Sequence, residues 1–139
     1  MKKILLILFL TISYTNYSQT PVEKFLKDWL GVRYMFGGET KTGIDCSALV
    51  QKFYKSIYDI DIPRVCWQMW DASTKIAKDS LKQGDILFFT SKLSPSGWHA
   101  GIYLGDNMFL HAANRKDNVK ISCLDDEKYK QSYKGAGRF

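Results

Sequence analysis

The sequence predicts an α+β domain in which N-terminal helices pack on an antiparallel sheet. Apolar residues at helical spacing are confined to the first part of the chain, and short strand-like segments follow Gly84. Helices first and strands afterwards differ from the alternating βαβ units that build a parallel sheet. A length of 139 residues suits one domain, which excludes large multidomain assemblies and polytopic membrane proteins.

Residues 1–18 have the pattern of a secretory signal peptide. Two lysines precede an apolar run over residues 4–12, and a polar exit region follows. The run is about half of the ~20 residues that a membrane-spanning helix needs, so we expect no stable membrane insertion after signal cleavage. The prediction is therefore a signal peptide at 1–18, export to the periplasm or secretion, and a single domain at 19–139.

The chain has a moderate positive charge, with 20 basic and 14 acidic side chains and a formal net charge of +6. Removal of residues 1–18 takes away two lysines and no acid, which leaves +4. Such a charge suits an anionic setting such as a cell envelope. Because the basic residues are interleaved with acids and form no continuous stripe, we expect no nucleic-acid partner.

Three helices are predicted before the strands. The first covers residues 21–30, where Pro21 suits the first turn and Gly31 suits the end. The second follows Asp45, which is a good N-cap. Its apolar stripe consists of Leu49, Val50, Phe53, Tyr54 and Ile57. A short third helix is expected around residues 67–70.

Strands are predicted at residues 85–90, 99–104, 108–113 and 119–124, with a short last strand at 135–139. The turn signal Gly105-Asp106-Asn107 joins the second and third of them into a hairpin. The lysine-rich segment 128–134 predicts a solvated face.

Cys46 is a candidate nucleophile because it opens the second predicted helix. A thiol there lies at the positive end of the helix dipole and beside unpaired backbone N–H groups, and both stabilise a thiolate. The alternative is a small buried core residue, the fate of most free cysteines. The two other cysteines, Cys66 and Cys123, could form a disulfide in an oxidising compartment.

The only two histidines, His99 and His111, both fall in the predicted hairpin. In a regular hairpin they lie on one face as opposed or diagonal neighbours, ~5–8 Å apart. One could then take the proton from Cys46 while the other holds its ring, although two unrelated histidines are the alternative. Neither a CxxC nor an HExxH spacing occurs, so we expect no metal site.

Six segments carry a family pattern: 31–38 (GVRYMFGG), 44–50 (IDCSALV), 62–64 (IPR), 83–89 (QGDILFF), 99–105 (HAGIYLG) and 109–112 (FLHA). In this order they resemble the successive motifs of the NlpC/P60 cysteine peptidases. The resemblance covers essentially all of residues 19–139 and extends to the last predicted strand. It implies one papain-like catalytic domain, which we expect to be a monomer.

This resemblance implies an exported peptidase that hydrolyses the peptide stems of bacterial peptidoglycan without a cofactor. The expected bond lies between γ-D-glutamate and a diamino acid such as meso-diaminopimelate. By the same resemblance, Cys46 is the nucleophile and His99 the base, which His111 orients. Tyr34 matches a tyrosine whose hydroxyl assists oxyanion stabilisation.

The resemblance also suggests substrate-binding residues, since Asp45, Ser47 and Arg64 match positions that shape the cleft. The chain departs from the family pattern after Arg64, where relatives often have Thr-Ser and this chain has Val65-Cys66. A second thiol is therefore expected near the cleft.

Two other functions fit the same sequence less well. One is an N-acetylmuramoyl-L-alanine amidase of a neighbouring cysteine-hydrolase family, which cuts between sugar and peptide. The other is a cell-wall-binding module without activity, against which the complete set of Cys46, His99 and His111 argues.

Overall fold

The computed structural model describes residues 18–139, so the predicted signal peptide lies almost wholly outside the described residues. Four α-helices occur in this part of the chain: α1 (Pro21–Trp29), α2 (Cys46–Tyr58), α3 (Cys66–Ala72) and α4 (Glu127–Ser132). Eight strands accompany them: β1 (Glu39–Thr40), β2 (Gly43–Ile44), β3 (Thr74–Ile76), β4 (Ile86–Thr90), β5 (Trp98–Gly105), β6 (Met108–Ala112), β7 (Val119–Cys123) and β8 (Tyr133–Arg138). None of the helices in residues 18–139 has the length and apolar character of a membrane-spanning segment.

Six of the strands form one antiparallel sheet in the order β3-β8-β4-β5-β6-β7, and β1 pairs with β2 in a separate small ribbon. The predicted α+β class and each of the five predicted strands are confirmed. Strands β1, β2 and β3 were not predicted, because strands of two or three residues are too short to show an alternating pattern.

Side-chain caps begin the first two helices. At α1, Thr20 Oγ1 accepts the backbone N–H of Glu23 at 3.1 Å, and the Glu23 carboxylate accepts that of Thr20 at 2.8 Å, which is a capping box. At α2, Asp45 Oδ1 accepts the backbone N–H of Ala48 at 2.8 Å. The cap on α2 determines where the helix begins and so places Cys46 as its first residue.

The sheet buries apolar side chains on both faces. In β4, Ile86 and Phe88 belong to the cluster that includes the stripe of α2, whereas Leu87 and Phe89 belong to a smaller cluster with Tyr129 of α4. Burial on both faces explains why β4 is a continuous apolar run. The prediction of a solvated face at 128–134 is wrong for Tyr129, which is 8% exposed.

Candidate active site

The thiol of Cys46 stands at the start of α2 between two cavities. Their volumes are about 540 and 300 Å³, and both are also lined by Tyr34 and Phe36. His99 lines the larger cavity, whereas Arg64 and Cys66 line the smaller one. Cys46 itself is partly exposed, so a ligand lying along these cavities would contact its sulfur.

The surroundings of Cys46 favour the thiolate. A hydrogen bond from the Cys66 thiol, whose sulfur lies 3.8 Å away, lowers the pKa of Cys46, as do the charge and N–H of His99. These contributions outweigh the burial that opposes ionisation, and the pKa of Cys46 falls well below its ordinary value. A lowered pKa is the condition for a nucleophilic cysteine.

The two histidines are brought together by the β5–β6 hairpin. Its turn residues, Asp106 and Asn107, both have positive φ (51° and 58°), as in the type I′ turns that join adjacent strands. The register pairs Ile102 with Leu110, which makes His99 and His111 diagonal neighbours on one face. Their ring centroids are 5.0 Å apart, so the predicted juxtaposition is confirmed.

A chain of hydrogen bonds runs from His99 into the interior. His99 Nε2 lies 2.7 Å from His111 Nδ1, and His111 Nε2 lies 2.8 Å from Ser122 Oγ. Burial, followed by the charge of His99, lowers the pKa of His111 to about 2, so this ring stays neutral with a single N–H. When His99 is doubly protonated, His111 therefore accepts at Nδ1 and donates from Nε2 to Ser122. The nitrogen of His99 left for the thiol is Nδ1.

Ser122 and Tyr129 place their hydroxyls beside His111 Nε2, and neither residue was predicted from the sequence. The Tyr129 hydroxyl lies 3.4 Å from His111 Nε2 and 3.5 Å from Ser122 Oγ. No sequence signal marks Ser122, because its burial on β7 shows only in the structure. Tyr129 is a single aromatic residue among lysines and gave no signal either.

Tyr34 lies beside the candidate nucleophile. Burial, together with the negative charges of Cys46 and Asp45, raises the pKa of Tyr34, so its hydroxyl remains protonated and able to donate. Its backbone N–H donates to Asn118 Oδ1 at 3.1 Å, which ties this loop to the segment before β7.

The three predicted substrate-binding residues are neighbours at the smaller cavity. Arg64 donates to both oxygens of the Asp45 carboxylate, at 3.1 and 2.8 Å, and to Ser47 Oγ at 2.8 Å. Its Nε donates to Glu39 at 2.6 Å. Asp45 also accepts the backbone N–H groups of Ala48 and Gly37, at 2.8 and 3.1 Å. The Asp45 carboxylate is thus already occupied by the protein, and it acts here by capping α2 and orienting Arg64.

The suggested disulfide between Cys66 and Cys123 is absent, since all three cysteines are free thiols. Cys66 opens α3 with its sulfur beside that of Cys46, whereas Cys123 lies on β7 at the edge of the sheet. Across residues 18–139, no three His, Cys, Asp or Glu side chains are grouped so that they could hold a metal ion.

A helix-borne thiol paired with an imidazole that a second polar side chain holds is the arrangement of papain-like cysteine peptidases. The fold and the site of this chain resemble that arrangement. Residues 31–138 match the NlpC/P60 family model. The chain therefore belongs to the NlpC/P60 family.

Two curated relatives and one solved structure illustrate the similarity. Murein DD-endopeptidase MepS/murein LD-carboxypeptidase of Escherichia coli K12 is 36% identical over 111 residues, which are 80% of this chain and 57% of that protein. Gamma-DL-glutamyl hydrolase of Bacillus subtilis is 36% identical over 123 residues, 88% of this chain and 30% of that protein. A crystal structure of an NlpC/P60 family protein from Bacillus cereus has a TM-score of 0.75 at 29% identity, covering 86% and 39% of the two chains. This chain thus spans only part of the length of each.

Proposed function

We propose that the protein is an exported cysteine peptidase that hydrolyses the peptide stems of bacterial peptidoglycan between γ-D-glutamate and a diamino acid. One observation carries this proposal: Cys46, whose surroundings favour the thiolate, is paired with His99. The His99 ring is held in place by His111, whose Nδ1 lies 2.7 Å from His99 Nε2. The names of the relatives, which act on murein or on γ-glutamyl bonds, support the choice of substrate.

In the proposed reaction, the Cys46 thiolate attacks the carbonyl carbon of the scissile bond. His99, with Nε2 engaged by His111, uses Nδ1 to protonate the leaving amine. The same imidazole then activates the water that hydrolyses the acyl-enzyme. Two donors can stabilise the oxyanion: the backbone N–H of Cys46, which has no intrahelical acceptor at the first helical position, and the protonated Tyr34 hydroxyl.

We assign substrate binding to the cavity that Arg64 and Ser47 line beside the nucleophile. Asp45 supports this site indirectly, because its carboxylate holds the guanidinium in place through two hydrogen bonds. The N–H groups of Arg64 Nε and Nη1 are engaged by Glu39, Asp45 and Ser47, so one N–H of Nη2 is left to donate to a carboxylate of a stem peptide.

A digest of purified peptidoglycan with the wild type, Cys46→Ala and Cys123→Ala tests the proposal, with products read by mass spectrometry. We expect stems shortened to the dipeptide from the wild type and from Cys123→Ala, and none from Cys46→Ala. Separated cross-links or loss of a terminal residue alone would instead indicate the DD- or LD-specificities in the name of the E. coli relative. Intact stems freed from sugar would indicate an amidase. If both the wild type and Cys46→Ala pellet with undigested sacculi, the protein is a binding module.

Export is tested separately. In a bacterial host we expect the N-terminus of the protein recovered outside the cytoplasm to lie close to Gln19. Retention in the cytoplasm with residues 1–18 still attached would refute the predicted signal peptide. We also propose that the protein is a monomer, which sedimentation equilibrium tests directly.

A further inference from the structure

A second thiol lies next to the proposed nucleophile. The sulfur atoms of Cys46 and Cys66 are 3.8 Å apart, and Cys66 is 5% exposed. No step of the proposed hydrolysis forms a bond to the Cys66 sulfur. A disulfide has a sulfur–sulfur bond of about 2.05 Å, so the two atoms would have to approach by only about 1.8 Å.

We propose that Cys46 and Cys66 form a reversible disulfide when the protein meets a hydroperoxide, and that this bond protects Cys46 from irreversible oxidation. While the disulfide is present Cys46 has no thiolate, so the proposed hydrolysis is blocked, and only this consequence rests on the function proposed above. The pair is thus a modification site with one accessible and one buried sulfur.

The first step occurs at Cys46, because Cys46 is partly exposed and lines both cavities, whereas Cys66 is buried and lines only the smaller one. The Cys46 thiolate attacks one peroxide oxygen, so a sulfur–oxygen bond forms and the oxygen–oxygen bond breaks. The sulfur loses two electrons and becomes a sulfenic acid. The departing oxygen takes up a proton and leaves as water, or as an alcohol when the oxidant is an organic peroxide.

In the second step, the Cys66 sulfur attacks the sulfenic sulfur of Cys46. The disulfide bond forms, the sulfur–oxygen bond breaks, and the departing hydroxide leaves as water with the proton of the Cys66 thiol. The hydrogen bond to the Cys46 thiolate is the main cause that raises the pKa of Cys66, and burial adds to it. Because a sulfenic acid carries no negative charge, the first step removes that cause and makes Cys66 easier to deprotonate.

The reduced, purified protein is treated with hydrogen peroxide and followed by intact mass and by non-reducing peptide mapping. We expect the wild type to lose two hydrogens, with one cross-linked peptide pair containing Cys46 and Cys66. Dithiothreitol should reverse both changes. Cys123→Ser is the matched control, and it should behave like the wild type because its remaining cysteines include the proposed pair.

In Cys66→Ser we expect a sulfenic acid at Cys46 that dimedone traps and that gains further oxygen. After dithiothreitol, the free thiol recovered at Cys46 should be about tenfold lower than in the wild type, because thiols do not reduce a sulfinic acid. The proposal would be overturned if Cys46 of the wild type gained oxygen atoms as fast as Cys46 of Cys66→Ser. A disulfide that includes Cys123 would also overturn it. The Cys46–Cys66 disulfide is detected in the wild type itself, so this test remains valid even if a variant fails to fold.

Detection of the disulfide needs no peptidoglycan, so the proposed disulfide and the proposed function can each be refuted without the other. A disulfide in a protein whose reduced form digests no peptidoglycan would refute the proposed function alone. Digestion by a reduced protein that forms no Cys46–Cys66 disulfide would refute this inference alone.

Discussion

Replacement of Ser122 by alanine tests how the interior of the protein controls the candidate site. Ser122 Oγ lies 2.8 Å from His111 Nε2, and His111 in turn lies 2.7 Å from His99. His111 is 1% exposed and neutral, so in Ser122→Ala neither water nor a charge can compensate for the missing hydroxyl. The Tyr129 hydroxyl, at 3.4 Å from the same nitrogen, is too distant for a good hydrogen bond.

The size of the effect follows from the cost of a buried donor without an acceptor, about 1–3 kcal/mol. His111 can avoid this cost by moving its proton to Nδ1. In that tautomer it no longer accepts from His99, and the imidazolium that protonates the leaving group loses its support. If catalysis requires the His111 tautomer with its proton on Nε2, Ser122→Ala should lower kcat by about 5- to 150-fold. This ratio of rates corresponds to the free energy of about 1–3 kcal/mol given above.

The assay measures kcat and KM on a purified stem peptide, together with the rate at which iodoacetamide alkylates Cys46. We expect Ser122→Ala to lower kcat and the alkylation rate, to leave KM near the wild-type value, and Ser122→Thr to restore activity. Ser80→Ala, the same change at an exposed serine, is the matched control. A variant with lower thermal stability but wild-type kcat and alkylation rate would show that Ser122 only packs, and would refute the reasoning.

Three further predictions concern ionisation, binding and stability. Because the pKa of Cys46 is lowered, its thiolate persists above that pKa and is lost as the pH falls through it. We therefore expect kcat/KM and the alkylation rate to fall together as the pH is lowered. A kcat/KM that stays constant while the alkylation rate falls would contradict this. Arg64→Lys should raise KM about tenfold, because an ammonium cannot reproduce the paired hydrogen bonds to Asp45, and an unchanged KM would remove Arg64 from the binding site. Arg138→Met removes the guanidinium that donates to the buried carboxylate of Asp85 at 2.6 and 2.8 Å, and leaves this carboxylate with the backbone N–H of Lys82. We expect this variant to lower the free energy of unfolding in urea by about 2 kcal/mol. The loss is smaller than for a fully buried pair because Arg138 is partly exposed. A loss below about 0.5 kcal/mol would contradict this expectation.

The helix start and the hairpin were predictable because their causes are local. The Asp45 carboxylate accepts a backbone N–H only three residues further along the chain, and the apolar stripe of α2 lies within a single helix. The two histidines are separated by one tight turn whose residues, Asp106 and Asn107, readily take positive φ. Capping, periodicity and turn chemistry each depend on neighbours a few residues away, and together they place Cys46 at a helix start and join the two imidazoles.

The partners of these groups were not predictable in the same way. Cys66 meets Cys46 across 20 residues of sequence, and Tyr129 meets His111 across 18. No periodicity links such positions, because α3 and α4 are short and their orientation depends on packing against the sheet. For the same reason the sequence left open whether Cys66 pairs with Cys123, since counting cysteines carries no information about where each element packs.

The amino-acid sequence by itself therefore determined the α+β class, the nucleophile candidate, the imidazole pair and the family resemblance, all of which depend on short-range patterns. Tertiary structure alone decided which groups surround that chemistry: the neutral state of His111, the acceptor at Ser122 and the thiol at Cys66. The physical reason is that burial and long-range contacts set the pKa of a group and the direction of its hydrogen bonds. Both arise only when the helices close over the two faces of the sheet.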